Sequence, residues 1–161
     1  MGIFLKDMSL KGKTALVTGA TKGLGRGAAE AIAEAGGDII AIGRNQSELN
    51  SLEKKIKKLK VKYTSFNCDV NDYNKIKNFI TKLKKLDILV NNAGTNIPES
   101  FLNVKSSSIE TIINVNTKAV FNVAQLCANQ IIKLKSKEGS IINISSIFGL
   151  VAGQKRRNIN Y

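Results

Sequence analysis

The sequence predicts an α/β protein with a parallel sheet, and its residue pattern, composition and length carry that prediction. Short apolar runs rich in β-branched residues alternate with longer stretches whose apolar residues recur at helical spacing. Of the 161 residues, 43% are hydrophobic, which is enough to bury one compact core. That length leaves little room for a second unit, so residues 1–161 are expected to form a single domain.

Five segments have the length and composition of buried strands. They are residues 14–18, 38–43, 62–68, 87–91 and 140–145. A helix is expected after each of the first three strands, because apolar stripes at helical spacing follow there. Two of these stripes consist of Leu49, Leu52, Ile56 and Leu59, and of Ile76, Ile80 and Leu83. The first three strands are thereby predicted to open successive βα units.

The sequence also predicts where the helix after the second strand begins and how far the helix before the fifth strand extends. Asn45 and Glu48 resemble a capping box, in which the first side chain accepts from the first turn and the glutamate reaches back. After the fourth strand, a loop containing Pro98 precedes a long helix predicted for residues 108–135. We therefore expect one helix to begin at Asn45 and a longer one to lead towards the fifth strand.

The strongly basic composition brings several partner classes into consideration. The formal charge is +13, which is compatible with nucleic acid, acidic membrane surfaces or phosphorylated small molecules. The lysines lie mainly between the apolar positions of predicted helices, as expected for a solvated face, and aromatic residues that would stack on bases are few. We expect no nucleic-acid partner. No segment approaches the length of a membrane span, so no membrane partner is expected either.

The cysteine and histidine content bounds the chemistry further. Cys68 and Cys127 are the only cysteines, and the chain contains no histidine. A disulfide framework or a histidine-based metal site therefore has almost no residues to be built from, and no metal is expected. The amino terminus lacks the apolar run of a signal peptide. Together these observations favour a cytoplasmic location.

A glycine-rich loop follows the first predicted strand directly. The segment TGATKGLG places Gly19, Gly23 and Gly25 between that strand and a helix. Glycines allow a tight turn and a close approach to a pyrophosphate, whose charge is attracted by the amides and positive end of the helix. The alternative is a tight strand-to-helix connection with no ligand. The strand, loop and helix context favours the ligand.

Further motifs, in order along the chain, resemble those of the short-chain dehydrogenase/reductase family. The glycine spacing matches that family's fingerprint, and NNAG at Asn91 to Gly94 looks like its second signature. NVNTKAVF resembles the long-helix motif, and IINISSIFG resembles the fifth strand with the serine that follows it. The resemblance implies a Rossmann-like, doubly wound parallel sheet with helices on both faces, incomplete at about five strands in the order 3-2-1-4-5. The fifth strand would then be an apolar edge.

The resemblance also implies which residues would contact a nicotinamide dinucleotide. They are Gly19, Thr21, Lys22, Gly23, Leu24, Gly25, Arg44, Asp69, Val70, Asn91, Ala93 and Gly94. Asp69 would contact the adenine amino group, with Val70 beside it, unless Asp69 is an ordinary helix cap.

The end of the second strand bears on which dinucleotide is bound. An acid there would bind the ribose 2′-hydroxyl of NAD, but this chain has Arg44, with Lys22 a second cation. Because a guanidinium grips a phosphate, NADP is expected over NAD. A solvent-facing Arg44 would leave the choice open.

Three residues carry the chemistry that the resemblance implies. Tyr161 would be the acid or base, Ser146 would hydrogen-bond the substrate oxygen, and Asn116 would hold a water that relays the proton. Each also has a plain structural alternative: a frayed terminal aromatic, the end of a strand, or a helix residue bonded to nearby backbone. The family has a lysine four residues after its tyrosine, whereas this sequence stops at Tyr161. We therefore expect a fragment of a longer enzyme with weak or no turnover.

The expected function is an NADP(H)-dependent oxidoreductase that interconverts a carbonyl and a secondary alcohol. Substrates of the 3-oxoacyl, sugar-acid or polyol type are implied by the resemblance, as is a homo-oligomer for the full-length enzyme. One alternative is a dinucleotide-binding module without catalysis. Another is a basic interaction protein, whose binding to nucleic acid would be strongly salt-dependent.

Overall fold

The computed structural model describes residues 8–146 and contains one five-stranded sheet. All strand pairs are parallel and the order is β3-β2-β1-β4-β5, which confirms the predicted topology. The strands are β1 (Thr14–Thr18), β2 (Asp38–Gly43), β3 (Tyr63–Asn67), β4 (Ile88–Asn91) and β5 (Ser140–Asn143). β1 and β2 have the predicted bounds, and the other three are shorter than predicted by one or two residues at one or both ends.

Helices connect the strands. They are α1 (Gly23–Glu34), α2 (Gln46–Ile56), α3 (Tyr73–Ile80), α4 (Ser106–Ile113) and α5 (Val120–Lys133). Short 3₁₀ turns occupy Lys57–Leu59 and Phe101–Asn103. The single long helix predicted for residues 108–135 is interrupted, because a π-helical segment, Asn114–Ala119, separates α4 from α5. No helix in the described part of the chain is long and apolar enough to cross a membrane.

Two apolar layers cover the two faces of the sheet. Alternate residues of a strand point to opposite faces, so Leu16 packs into one layer while Ala15 and Val17 pack into the other. The first layer includes residues of α3 and α5, and the second includes residues of α1 and α2. The sheet is therefore doubly wound, as predicted.

The helix signals in the sequence are realised in part. The Asn45 side chain accepts from the backbone N–H of Glu48 at 3.1 Å and caps α2. The Glu48 carboxylate does not complete a capping box, because it accepts from Arg26 of α1 at 3.1 Å. Leu59 was predicted to continue the buried stripe of α2. It is 38% exposed instead, since the helix tightens into a 3₁₀ turn there and changes its register.

β5 lies at the end of the strand order and pairs with β4. All four of its residues are exposed, including Ile141 and Ile142. Ile144 continues the pairing by donating its N–H to the carbonyl of Asn91 at 3.0 Å. The predicted apolar edge is thus present in the described part of the chain.

Candidate functional site

A crevice opens at the carboxyl ends of the strands, where the strand order reverses. β1 continues to β2 and β3 on one side and to β4 and β5 on the other, and ligands of open α/β sheets bind at such a switch point. The cavity has a volume of about 880 Å³. Its lining comes from the segments that follow β1, β2, β3 and β4, including the first turns of α1 and α2, and from α4 and the start of the π-helical segment: Gly19, Thr21, Lys22, Gly23, Leu24, Gly43, Arg44, Asn45, Glu48, Cys68, Asp69, Val70, Asn71, Asn92, Ala93, Gly94, Thr95, Thr111 and Val115.

The glycine loop forms one wall of this cavity. Gly19 and Gly23 have φ values of +63° and +56°, which L side chains rarely adopt. A Cβ on Gly25 would clash with the Gly19 carbonyl oxygen and the Asn92 side-chain amide nitrogen, so only glycine fits. Helix α1 begins at Gly23, and in the described part of the chain no side chain caps it. Its first amides and positive end are therefore available to an anion.

Thr18 joins the glycine loop to the segment after β4. Its buried hydroxyl accepts from the backbone N–H groups of Asn92 and Ala93, each at 3.0 Å. The Asn92 side chain returns across the gap and donates to the carbonyls of Thr18 and Gly19 at 3.1 and 3.3 Å. Asn91 donates to the carbonyl of Val120 at 2.7 Å, which ties the same segment to α5. The two glycine-containing motifs are thus held as one rigid wall.

Asn116 lies in the π-helical segment and is bonded to the loop after β4. Its Oδ1 accepts from the Thr95 N–H at 2.8 Å, and its Nδ2 donates to the Thr95 carbonyl at 2.9 Å. The side chain is therefore bonded to backbone, namely that of Thr95, 21 residues earlier in the sequence. The water-holding role implied by the resemblance stays a prediction, and in this structure the side chain positions Thr95.

Arg44 and Asp69 face each other across the opposite end of the cavity. Arg44 follows β2, Asp69 follows β3, and their closest atoms, Nη1 and Oδ2, are 3.4 Å apart. The alternative that Asp69 caps a helix is wrong, because Asp72 accepts from the Lys75 N–H and caps α3. Asp69 instead accepts from the Asn71 N–H at 2.9 Å within a turn. Val70, beside it, also lines the cavity and packs against the core.

One further cation lies at the site, and the two cysteines of the chain differ in where they lie. Lys22, at the start of α1, is exposed and lines the cavity. Cys68 lines it too, but burial raises the pKa of its thiol, which opposes thiolate formation. Cys127 is buried in the core, where desolvation raises its pKa to about 12. Neither cysteine is suited to act as a nucleophile.

The structure brings together most of the predicted cofactor-binding residues at the cavity, whereas the predicted catalytic residues are described only in part. Ser146 is half-buried beyond β5 and lies outside the residues that line the cavity. Tyr161 falls outside the described residues. Among the predicted cofactor residues, Asn91 and Gly25 support the cavity wall from behind.

Sequence reasoning missed several residues that shape the site. Thr18 has a usable signal, since it is a hydroxyl residue that ends an apolar strand directly before the glycines. Asn92 lies inside the NNAG motif but was not singled out. Asn45 and Glu48 have a local signal for a helix start, but that signal does not point to the cavity. Other wall residues have no local signal, because they reach the cavity only through the packing of separate segments: Asn71, Thr95, Thr111 and Val115.

This fold and cavity define a doubly wound α/β protein with a cavity at the switch point of its sheet. The sequence model described as short chain dehydrogenase matches residues 13–158. Over 155 residues the chain is 34% identical to a 3-oxoacyl-(acyl-carrier-protein) reductase of Thermotoga maritima, covering 94% of this chain and 62% of the relative. It is 36% identical over 156 residues to a 2-dehydro-3-deoxy-D-gluconate 5-dehydrogenase of Bacillus subtilis, covering 95% and 60%. The chain belongs to the short-chain dehydrogenase family.

Solved structures agree with that assignment. A short-chain type dehydrogenase/reductase from Mycobacterium marinum superposes with a TM-score of 0.88 at 28% identity, over 98% of this chain and 64% of that one. An NAD⁺-bound xylitol dehydrogenase gives 0.85 at 26% identity, over 91% and 58%. A structure from Agrobacterium tumefaciens with bound NADP gives 0.82 at 30% identity, over 91% and 58%. The chain thus spans about 60% of the length of these relatives.

Proposed function

We propose that this chain binds NADP(H) and is the coenzyme-binding part of an oxidoreductase that interconverts a carbonyl and a secondary alcohol. The observation that carries the proposal is the cavity of about 880 Å³ at the switch point, which is lined by Arg44 and by the start of α1, a helix start that no side chain of the described residues caps. We further propose that residues 1–161 form one nucleotide-binding domain with a cytoplasmic location. Homo-oligomerisation of the full-length enzyme is part of the same proposal.

The glycine loop would hold the pyrophosphate. Gly23 and Leu24 begin α1, and their backbone N–H groups have no intrahelical partner at a helix start. The first turn of α1 carries no acidic side chain, so nothing there repels a phosphate. Space is also available, since a Cβ on Gly23 would meet no atom within 4 Å. The residues present therefore fit a dinucleotide phosphate, which the amides and the helix dipole would stabilise.

The preference for NADP over NAD rests on charge at the ribose end. Arg44 stands where an acid would select NAD, and Lys22, in the glycine loop, lines the same cavity. The Arg44 side chain is 77% exposed and, among the described residues, makes one polar contact of 3.4 Å, so most of its donors remain available to a 2′-phosphate. One similar structure holds NAD⁺ and another holds NADP, so the preference for NADP is proposed from these side chains and not from the family.

The chemical step is proposed from the family motifs. When bound, the nicotinamide supplies or accepts the hydride. Tyr161 would give or take the hydroxyl proton, Ser146 would hydrogen-bond the substrate oxygen, and Asn116 would hold the proton-relaying water. Substrates of the 3-oxoacyl, sugar-acid or polyol type are proposed, because similar proteins act on compounds of these kinds.

Coenzyme titration combined with turnover tests the proposal. The 161-residue chain should bind NADPH more tightly than NADH, and Arg44→Ala should weaken NADPH binding by about tenfold while NADH binding stays within about twofold. Oxidation of NADPH would then be followed with a 3-oxoacyl thioester, a keto sugar acid and a ketopentose. Binding without turnover would support the alternative of a non-catalytic module. Failure to bind either coenzyme would overturn the proposal.

A further inference from the structure

The cation proposed for the 2′-phosphate already has an anionic partner within the chain. Arg44 Nη1 lies 3.4 Å from Asp69 Oδ2, and both residues line the cavity. They follow the adjacent parallel strands β2 and β3, so the sheet itself brings them together. A ligand phosphate at this end of the cavity would have to share Arg44 with Asp69.

The two partners differ in how firmly they are held. Asp69 Oδ1 accepts from the Asn71 N–H at 2.9 Å, and this turn fixes the carboxylate. Its side chain is 39% exposed, whereas that of Arg44 is 77% exposed and has no other polar contact in the described part of the chain. The guanidinium is therefore the mobile partner, and it can leave a carboxylate that stays in place.

The Arg44–Asp69 contact is also weak enough to exchange. Arg26, in contrast, donates to Glu30, Glu48 and Ser51 at 3.1, 3.1 and 3.2 Å with only 25% of its side chain exposed. A single exposed ion pair contributes little free energy, whereas a phosphate offers paired, charge-assisted hydrogen bonds to a guanidinium. A 2′-phosphate would thus displace Asp69 from Arg44.

We propose that Asp69 competes with the coenzyme 2′-phosphate for Arg44 and thereby lowers the preference of the site for NADP over NAD. This rests on the proposed function. NAD has no 2′-phosphate, so Arg44 keeps its carboxylate partner when NAD binds. NADP binds only by breaking that pair, so the cost falls on NADP alone. Asp69 is in this sense a specificity-determining residue.

Two ligands that differ only in the 2′-phosphate isolate this effect. Calorimetry would compare adenosine 2′,5′-bisphosphate with 5′-AMP on wild type and Asp69→Asn, which keeps the oxygen that accepts from Asn71. The ratio of the two affinities should rise about fivefold in the variant, the size of a freed surface ion pair. A lost adenine contact cancels in this ratio. Asp69→Ser, whose hydroxyl can accept from the same amide, should give the same rise.

Two controls separate competition from other effects of charge. Glu34→Gln makes the same change in net charge at the end of α1, away from the cavity, and should leave the ratio within about twofold of wild type. In an Arg44→Ala background, Asp69→Asn should change the ratio by less than about twofold. An equal rise in both backgrounds would indicate direct repulsion and overturn the competition.

The outcomes also distinguish this inference from the proposed function. If wild type binds NADPH and both adenosine ligands but the ratio is unchanged in Asp69→Asn and Asp69→Ser, only the role of Asp69 is overturned. If wild type binds none of these ligands, both proposals fall together. Cooperative thermal unfolding of each variant confirms that the comparison is between folded proteins.

Discussion

β1 and β5 belong to the same parallel sheet but have opposite environments. All five residues of β1 are buried, whereas all four of β5 are exposed. β1 lies between two strands and under helices on both faces, while β5 pairs with β4 alone in the described part of the chain. The proposed nucleotide-binding end of the site is therefore built on a packed core. Ser146, which is proposed to bind the substrate oxygen, follows a strand held chiefly by backbone pairing.

A matched pair of truncations should expose this difference most strongly. Ile42 of β2 is fully buried and Ile142 of β5 is 45% exposed. Ile42→Ala should reduce the free energy of unfolding by about 3 kcal/mol, and Ile142→Ala by less than about 1 kcal/mol. Urea denaturation of both variants measures the contrast. Equal losses would mean that β5 packs as tightly as the centre of the sheet.

A substitution in the glycine loop should reduce the free energy of unfolding nearly as much as the truncation of Ile42. Gly25→Ala places a methyl group against the Gly19 carbonyl and the Asn92 amide, which should cost about 3 kcal/mol and abolish NADPH binding. Gly27→Ala, two residues further along α1, meets nothing within 4 Å and should be neutral or stabilising by up to about 1 kcal/mol. Denaturation and NADPH titration of the pair check this. Tight NADPH binding by Gly25→Ala would contradict the wall geometry.

Thr18→Val tests the link between the glycine loop and the segment after β4. Valine keeps the shape of threonine but removes the oxygen that accepts from Asn92 and Ala93. The two orphaned N–H groups should cost about 2 kcal/mol and weaken NADPH binding. Thr14→Val, at the other end of β1, is the control, since its hydroxyl makes no hydrogen bond to described residues. If Thr18→Val is as stable as this control, the Thr18 hydroxyl does not hold the glycine loop to the segment after β4.

The smallest expected effect concerns the contact between α1 and α2. Bonds from Lys55 and Arg26 hold the pKa of Glu30 below its usual value of 4.5. The stabilisation is therefore complete above pH 4.5 and is lost as the pH falls through the lowered pKa. Glu30→Gln should be less stable at pH 7 by about 0.5 to 1 kcal/mol, and the difference should shrink in acid.

Thermal unfolding at pH 7 and in acid measures this contribution. Glu34→Gln, which removes a carboxylate of α1 that has no ion pair in the described part of the chain, should show no such pH-dependent difference. A constant difference between Glu30→Gln and wild type at every pH would contradict the assignment to an ion pair.

The sheet was predictable from sequence because its signals are local. β1 and β2 are continuous apolar runs next to glycines, and their bounds were predicted to the residue. The interruption at Asn114–Ala119 was not predicted, because Ile112 and Val120 on either side of it are spaced as in a single helix. Asn116 bonds both polar groups of the Thr95 backbone, a pairing 21 residues apart that no periodicity reveals.

The residues of the site divide in the same way, into those with a local sequence signal and those placed by long-range contacts. Gly19 and Gly23 could be placed from sequence because the positive φ values that a tight turn needs leave few residue types allowed. The partner of Arg44 could not, because Asp69 meets it only through the pairing of β2 with β3. Contacts between loops of separate strands depend on the completed sheet.

Hydrogen–deuterium exchange with and without NADPH reports where the coenzyme binds, and so tests whether it lies at the glycine loop. If it binds as proposed, exchange should slow in peptides that contain Gly19 to Gly25, Arg44 and Asp69, with little change in β5. Unchanged exchange in the glycine loop at saturating NADPH would show that the coenzyme does not bind there.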